Sequence, residues 1–118
     1  MESEIMVYGI LEIEIMNVIW KLQKLDEDAN ISVSDIVNEL NDNQITRAYT
    51  TIKTVMDRLV TKGILARYRN NKKFFYRSTL DKTEAAKKVL EAVGEQFFDG
   101  DPINMLRFIE KECEYLLV

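Results

Sequence analysis

Cationic side chains and short hydroxyls alternate at helical spacing in one stretch of the sequence. Residues 44–63 read QITRAYTTIKTVMDRLVTKG, in which apolar residues recur every three or four positions, as on a helix packed against a core. The opposite side of that helix would carry side chains that bind phosphates and approach base edges in the major groove of DNA. These candidate contacts are Arg47, Thr50, Thr51, Lys53, Thr54 and Arg58. An ordinary solvated helix face would show the same alternation.

The flanking residues predict where this helix begins and ends. It is expected to start by Ile45 or Thr46, with Thr46 or Thr50 as its cap, and to stop at Gly63. Glycine commonly follows a helix because it takes the left-handed backbone conformation without steric cost. The cationic stretch is therefore predicted to form one continuous helix.

Basic residues are concentrated in the middle of a chain that is acidic overall. The 118 residues carry a formal net charge of −4. Residues 44–77 nevertheless contain nine basic side chains and one acidic side chain, Asp57, which gives this segment a charge of +8. Because local potential rather than total charge attracts a polyanion, this distribution favours nucleic-acid binding at one place on the surface.

The segment before the cationic helix predicts two further helices. Residues 8–25 have apolar side chains at helical spacing, and the segment is too long for a typical strand. Residues 31–33 could form a very short edge strand. Ser32 and Asp35 resemble a capping box at the start of a short amphipathic helix that ends near Asp42. A short helix, a tight turn and a second helix with a cationic face follow the order of a helix-turn-helix.

A β-hairpin is predicted directly after the cationic helix. Two apolar runs flank the turn at residues 70–73, where the Asn70-Asn71 pair suits the positive backbone angles of a tight hairpin. Lys72 and Lys73 would lie at its tip, either as phosphate contacts or only as solubilising charges. The predicted fold class is mainly α with a small β-hairpin, a winged helix-turn-helix DNA-binding domain over residues 1–80.

The last part of the chain, residues 81–118, predicts two helices separated by Gly100 and Pro102. Two helices alone cannot enclose this many apolar side chains, so we expect a C-terminal helical dimerisation region in a two-fold dimer. Packing against the winged domain of the same chain is the alternative. The residues predicted to form the dimer interface are Val89, Val93, Phe97, Leu106, Ile109, Cys113 and Leu116.

Composition argues against several other classes of protein. The chain has no histidine, a single cysteine (Cys113), no glycine-rich phosphate loop and no evident pair of catalytic carboxylates. We therefore predict no enzymatic activity, no metal site and no cofactor. No apolar run approaches the roughly 20 residues of a membrane span, and the N-terminus lacks the positive segment of a secretion signal. A cytoplasmic location is expected.

The sequence resembles the penicillinase-repressor family of bacterial transcription regulators over nearly its whole length. The resemblance is carried by AYTTIKTVMDRLVTKGIL, by the basic hairpin that ends in FFYRS and by the earlier run LEIEIMNVIW. Its most specific positions are Thr51, Thr54, Arg58, Leu59, Lys62 and Gly63, with Glu12, Met16 and Trp20 in the first helix.

The resemblance implies a homodimeric repressor whose third helix enters the major groove of a palindromic DNA operator. It implies that Thr50, Thr51, Lys53 and Thr54 contact bases and phosphates, that Arg47 and Arg58 flank them on the DNA backbone, and that Lys72 or Lys73 touches neighbouring phosphates. Two copies of this helix about 34–36 Å apart would meet successive major grooves.

The resemblance also implies release from DNA by proteolysis in the C-terminal region, triggered by a membrane-bound sensor protease. The matching bond joins Arg107 to Phe108, whereas the family has asparagine before the phenylalanine. A related copper-responsive branch uses paired cysteines, and one thiolate does not make such a site.

Two other functions would use the same sequence features. The cationic face could bind an acidic protein partner instead of DNA, in which case no preference for a DNA sequence would be found. A small molecule could also regulate the protein from a pocket lined by Phe97, Phe98 and Phe108.

Overall fold

Three helices and a two-stranded antiparallel sheet make up residues 8–82, the first of two compact units. A computed structural model of the protein describes residues 8–118. Element order in the first unit is α1 (Ile10–Leu25), α2 (Val33–Asp42), α3 (Tyr49–Thr61), β1 (Leu65–Asn70) and β2 (Lys73–Ser78). This arrangement of helices and hairpin confirms the predicted winged helix-turn-helix fold class.

The core of this unit is built from the apolar stripes of its three helices. Each helix contributes side chains with almost no solvent exposure, and strand β2 adds the ring of Tyr76. The most deeply buried helical residues are Ile15, Met16, Ile19, Ile36, Leu40, Ile52, Met56 and Leu59. Complete burial stabilises the fold by about 1.5–3 kcal/mol for each such side chain relative to exposure. The three stripes therefore fix the orientation of α3, whose other side is left to solvent.

Helix α2 begins as predicted and ends in a way that the sequence did not indicate. The Ser32 hydroxyl accepts a hydrogen bond from the Asp35 amide (3.1 Å), and the Asp35 carboxylate accepts one from the Ser32 amide (2.9 Å), which confirms the capping box. At the other end, Gln44 has a φ of 64°, and the Ile45 amide donates to the Leu40 carbonyl at 2.8 Å. This is the geometry of a Schellman motif with glutamine in the place that glycine usually occupies.

Because residues 43–48 form a turn, α3 starts at Tyr49, and the predicted start at Ile45 or Thr46 is wrong. The N-cap residue is Ala48, which has no side-chain capping bond, so neither Thr46 nor Thr50 caps the helix. The predicted stop at Gly63 is confirmed.

Gly63 follows Lys62, the C-cap residue of α3, and has a φ of 79°. Its amide donates to the Val60 carbonyl and the Ile64 amide donates to the Leu59 carbonyl, both at 2.9 Å. Leu59 and Ile64 are both buried, as expected for the apolar contact that accompanies this helix end. The chain is thereby turned directly from α3 into the hairpin.

The hairpin has a two-residue turn with both central residues at positive φ. These are Asn71 (53°) and Lys72 (70°), as a type I′ turn requires, so the positive angles fall one residue later than the predicted Asn-Asn pair. The predicted edge strand at residues 31–33 reduces to a single bridge, in which the Tyr76 amide donates to the Ile31 carbonyl at 2.9 Å.

The second compact unit, residues 83–118, is helical. It contains α4 (Lys82–Phe97), α5 (Pro102–Glu112) and a 3₁₀ helix (Glu114–Leu117). The first residue of α4 precedes the start of this unit by one position. The Asp101 carboxylate accepts a bond from the Ile103 amide at 2.9 Å and caps α5, whose first residue is Pro102. The two helices predicted in this part of the chain are confirmed, but the second does not continue to the end, because α5 stops at Glu112 and a separate 3₁₀ helix follows.

A buried carboxylate links α1 to the end of α3. Glu12 accepts a bond from the Gly9 amide at 2.8 Å and forms an ion pair with the Lys62 ammonium, also at 2.8 Å. Burial alone would raise the pKa of Glu12, but the two hydrogen bonds and the charges of Lys62 and Arg58 lower it below its ordinary value. Folding therefore favours the ionised form of this carboxylate.

Glu12→Gln is expected to lower the free energy of unfolding at pH 7 by about 1–2 kcal/mol, because glutamine cannot serve both donors. Because the pKa of Glu12 is lowered, its carboxylate contributes its full stabilisation above the ordinary pKa of glutamate, about 4.3. That contribution is lost as the pH falls through the lowered pKa. Urea unfolding at pH 7 and at successively lower pH should show that the free energies of unfolding of the wild type and of Glu12→Gln converge. Glu27→Gln, at an exposed loop position, should change stability by less than about 0.5 kcal/mol. A difference that stays constant with pH would contradict the assigned role of the charge.

Candidate nucleic-acid interface

All nine basic side chains of residues 44–77 are exposed in the folded chain. They lie on the turn before α3, on α3, on the residue that follows it and on the hairpin. Among the described residues, four pairs of one acidic and one basic side chain lie within ion-pair distance. Two of these pairs share the carboxylate of Asp57, which lies on this surface. We call the exposed side of α3 together with the hairpin the basic surface.

Helix α3 divides cleanly between core and solvent. Ile52, Val55, Met56 and Leu59 are buried, whereas Thr50, Thr51, Lys53, Thr54 and Arg58 are exposed. The structure therefore brings the five predicted helical residues to one exposed side, as the spacing indicated. Arg47 is different, because it lies in the turn ahead of the helix, where its guanidinium donates to the Thr46 carbonyl at 3.0 Å.

The hydrogen-bonding capacity of α3 differs along its length. The Thr54 hydroxyl donates to the Thr50 carbonyl at 2.8 Å, so in this conformation it is left as an acceptor for a further partner. The start of the helix has no side-chain cap, and its first amides remain able to donate. Amides at a helix N-terminus suit phosphate oxygens, because the helix dipole adds to their hydrogen bonds.

Asp57 is the point at which α3 meets both strands of the hairpin. Its carboxylate accepts from the Lys53 ammonium at 2.8 Å, from the Tyr76 hydroxyl at 3.2 Å and from the Arg67 guanidinium at 3.4 Å. Burial alone would raise the pKa of Asp57, but the bonds from Lys53 and Tyr76 and the charges of Lys53 and Arg67 lower it. Burial and the Asp57 charge raise the pKa of Tyr76, so its hydroxyl stays protonated and donates.

Two arginines of the hairpin stack on an exposed aromatic ring. Arg67 pairs across the strands with Tyr76 and Arg69 with Phe74, which places all four residues on one face of the sheet. The Phe74 ring, 45% exposed, has the Arg67 guanidinium carbon 4.6 Å and the Arg69 guanidinium carbon 5.1 Å from its centroid. Stacking of this kind restricts a guanidinium that would otherwise move freely.

Sequence reasoning selected only the two lysines of the hairpin. Lys72 and Lys73 are exposed at the turn, as expected. The face that contains Tyr76, whose hydroxyl reaches Asp57, instead carries Arg67, Arg69 and Phe74. Strand alternation around the Asn-Lys turn would have placed these three residues together, had the register been known.

The predicted dimerisation residues are only partly shielded within the chain. Val89, Val93, Ile109 and Cys113 are half-buried, whereas Phe97, Leu106 and Leu116 are exposed. None of the residues of α5, all of which the structure describes, is fully buried. The Arg107–Phe108 bond lies inside α5, where the Phe108 ring packs against Phe98 with ring centroids 5.3 Å apart.

Within residues 8–118, no group of histidine, cysteine, aspartate or glutamate side chains is arranged to hold a metal ion. In the same part of the chain, every helix is too short or too polar to cross a membrane.

The fold and the exposed basic surface together define a winged-helix protein of the DNA-binding class. Comparison with known proteins gives the family: residues 8–115 match the penicillinase repressor family, and the chain belongs to it. It is 28% identical over 102 residues to the penicillinase repressor of Bacillus licheniformis, a match that covers 86% of this chain and 74% of that protein. The resemblance seen in the sequence is thus confirmed, and the family supports a role as a transcriptional repressor.

Proposed function

We propose that the protein is a cytoplasmic homodimeric repressor that binds a palindromic DNA operator in a sequence-specific manner. One observation carries this proposal most strongly: a chain of net charge −4 exposes nine basic side chains on one short segment that forms α3 and the hairpin. A polyanion would meet a positive potential there in spite of the total charge.

In the proposed complex, α3 lies in the major groove with its exposed side toward the base edges. Thr50, Thr51, Lys53 and Thr54 would supply contacts from the first half of the helix, where the uncapped amides also favour nearby phosphates. Arg47, in the preceding turn, and Arg58, one turn further along α3, would contact the DNA backbone on either side.

The hairpin would extend the contact to neighbouring phosphates. Lys72 and Lys73 lie at its exposed turn, and Arg67 and Arg69 line the face that Tyr76 joins to α3. We add Arg67 and Arg69 to the proposed DNA contacts, because their guanidinium groups are held by Phe74 rather than free in solution.

The C-terminal helices would form the dimer interface, with residues 1–80 as the DNA-binding domain and residues 81–118 as the dimerisation region. Support comes from the exposed apolar side chains of α4, α5 and the 3₁₀ helix, which include Leu90, Phe97, Ile103, Leu106, Phe108, Tyr115 and Leu116. Because soluble monomers rarely expose large apolar patches, these side chains favour an interface with a second copy of the chain. A two-fold dimer would present two copies of α3 to successive grooves of a palindrome.

Relief of repression by a membrane-bound sensor protease system is proposed at the Arg107–Phe108 bond. Cleavage there would detach the second half of α5 and the 3₁₀ helix from the rest of the chain. Since the bond is inside a helix, α5 must open locally before a protease can bind it as an extended peptide.

Selection of bound fragments from random duplex DNA tests the proposal. We expect enrichment of a palindrome whose half-sites are separated by about one helical turn, or a multiple of it. Retention of all fragments without enrichment would reject sequence-specific binding. If the basic surface instead serves an acidic protein, or if a small molecule must bind first, the unliganded protein would enrich no motif.

Lys72→Ala combined with Lys73→Ala is expected to weaken binding of all duplexes by a similar factor while the selected motif stays preferred. Loss of each phosphate contact should reduce the slope of log K against log salt by about 0.9. Fluorescence anisotropy at several salt concentrations gives this slope. Lys87→Ala with Lys88→Ala, an equal loss of adjacent exposed lysines in α4, is the matched control and should leave the slope unchanged. An unchanged slope in the hairpin variant would remove these lysines from the DNA contact.

A further inference from the structure

Asp57 is the single acidic residue among residues 44–77, and it stands within the basic surface rather than beside it. Its side chain is 35% exposed and contacts two of the proposed DNA-binding cations, Lys53 on α3 and Arg67 on β1. The carboxylate therefore offsets positive charge at the place where the surface would meet phosphates.

The surroundings of Asp57 hold its carboxylate in place. Tyr76, only 1% exposed, donates its hydroxyl to the same oxygen that Arg67 approaches, and Lys53 binds the other oxygen. A buried tyrosine ring does not move freely, so the carboxylate is fixed relative to both α3 and the hairpin. The positions of the two cations follow from it.

This arrangement affects specific and non-specific DNA binding in different ways. Sequence-independent affinity comes mainly from neutralised phosphates, and a carboxylate among the cations reduces it. Sequence-dependent affinity comes from donors aimed at base edges. A lysine ammonium has three donor hydrogens, so Lys53 can bind Asp57 with one and still present the others to the groove.

We propose that Asp57 is a specificity-determining positioning residue, which orients Lys53 and Arg67 and suppresses binding to DNA of unrelated sequence. The inference rests on the proposed function, because it concerns how the same surface distinguishes one duplex from another. Asp57 acts through its neighbours in this scheme and need not touch the DNA.

The test compares the full-length wild-type protein with Asp57→Asn on two duplexes, one with the selected motif and one with the same bases scrambled. Asparagine has nearly the same shape and keeps an acceptor for Tyr76, but it lacks the charge. Glu39→Gln is the matched control, because Glu39 also binds a lysine, Lys21, at 2.8 Å, in a pair that joins α2 to α1. Affinities are measured by fluorescence anisotropy across a range of salt concentrations.

We expect Asp57→Asn to bind the scrambled duplex about 3- to 10-fold more tightly at low salt, with a slope steeper by about 0.9. The ratio of affinity for the selected motif to affinity for the scrambled duplex should fall. Loss of the carboxylate strengthens the general attraction to phosphates more than it strengthens the oriented contacts to base edges. Glu39→Gln should match the wild type in slope and ratio. Asp57→Glu, which keeps the charge, should restore most of the preference.

A purely structural role would give a different result. If Asp57→Asn only loosened the hairpin, specific binding would weaken while the scrambled-duplex affinity and slope stayed at wild-type values, and this outcome would overturn the proposal. Identical slopes and ratios for the two proteins would overturn it as well. Asp57→Ser removes the same charge with a smaller side chain and gives the same comparison if the asparagine variant does not fold.

The wild-type protein separates failure of this inference from failure of the proposed function. Wild-type binding to the selected motif with no effect at Asp57 rejects the inference alone. No DNA binding by the wild type rejects both.

Discussion

Replacing Leu106 with aspartate is expected to dissociate the proposed dimer into monomers at micromolar concentration. Leu106 is 55% exposed on α5, so the substitution introduces no charge into the core of the isolated chain. In the proposed dimer the same carboxylate would be buried without a partner, which is strongly unfavourable. We expect the dimer dissociation constant to rise at least about 100-fold, equivalent to about 2.7 kcal/mol.

Sedimentation equilibrium measures this change directly. Asn104→Asp is the matched control, because it adds the same charge to the same helix at an exposed polar position. That variant should remain dimeric, and both should retain the helical content of the wild type by circular dichroism. Affinity for the proposed operator should fall with the loss of the dimer, because each protomer would then bind its half-site independently of the other. A Leu106→Asp protein that still sediments as a dimer would exclude this part of α5 from the interface.

Leu59→Ala is expected to lower the free energy of unfolding by about 2–5 kcal/mol, the usual cost of a cavity at a fully buried leucine. Leu59 has 0% exposure, and its carbonyl accepts the Ile64 amide that closes the end of α3. A single domain is stable by only about 5–15 kcal/mol, so this one change removes a large part of the total.

Urea unfolding of both variants at one fixed protein concentration gives the comparison, because the proposed dimerisation would make apparent stability depend on concentration. Leu25→Ala is the control, an identical substitution at the end of α1, where the side chain is 76% exposed. It should cost less than about 0.5 kcal/mol. Similar losses for the two variants would show that the stripe of α3 is not the core that the structure describes.

The buried side of α3 could be predicted because its information is local. Apolar residues at spacings of three and four define a face whatever the rest of the chain does, and Gly63 marks the end of the helix. The start of α3 could not be predicted in the same way. Gln44 adopts a left-handed conformation that sequence patterns assign to glycine or asparagine, and the bond from Ile45 to Leu40 then delays the helix to Tyr49.

The contacts of Asp57 lie beyond what a one-dimensional pattern contains. Lys53 is one helical turn away and could be anticipated as an ion pair. Arg67 and Tyr76 are ten and nineteen residues further along, and they reach Asp57 only because the hairpin folds back with a particular register. The same non-local register decides which hairpin arginines share the face of Tyr76. The sequence pattern therefore pointed to the lysines at the turn as candidate contacts, whereas Arg67 and Arg69 became candidates only from the structure.

Tyr76 joins three separate parts of the first unit through one residue. Its amide pairs with the segment before α2, its ring fills the core, and its hydroxyl meets Asp57 on α3. In the proposed complex, these buried contacts of Tyr76 would set the distance between α3 and the hairpin, whereas the exposed side chains of α3 would set the base preference. If that proposal holds, substitutions among these exposed residues would redirect the protein to a new operator, while the length of its footprint on the duplex would stay the same.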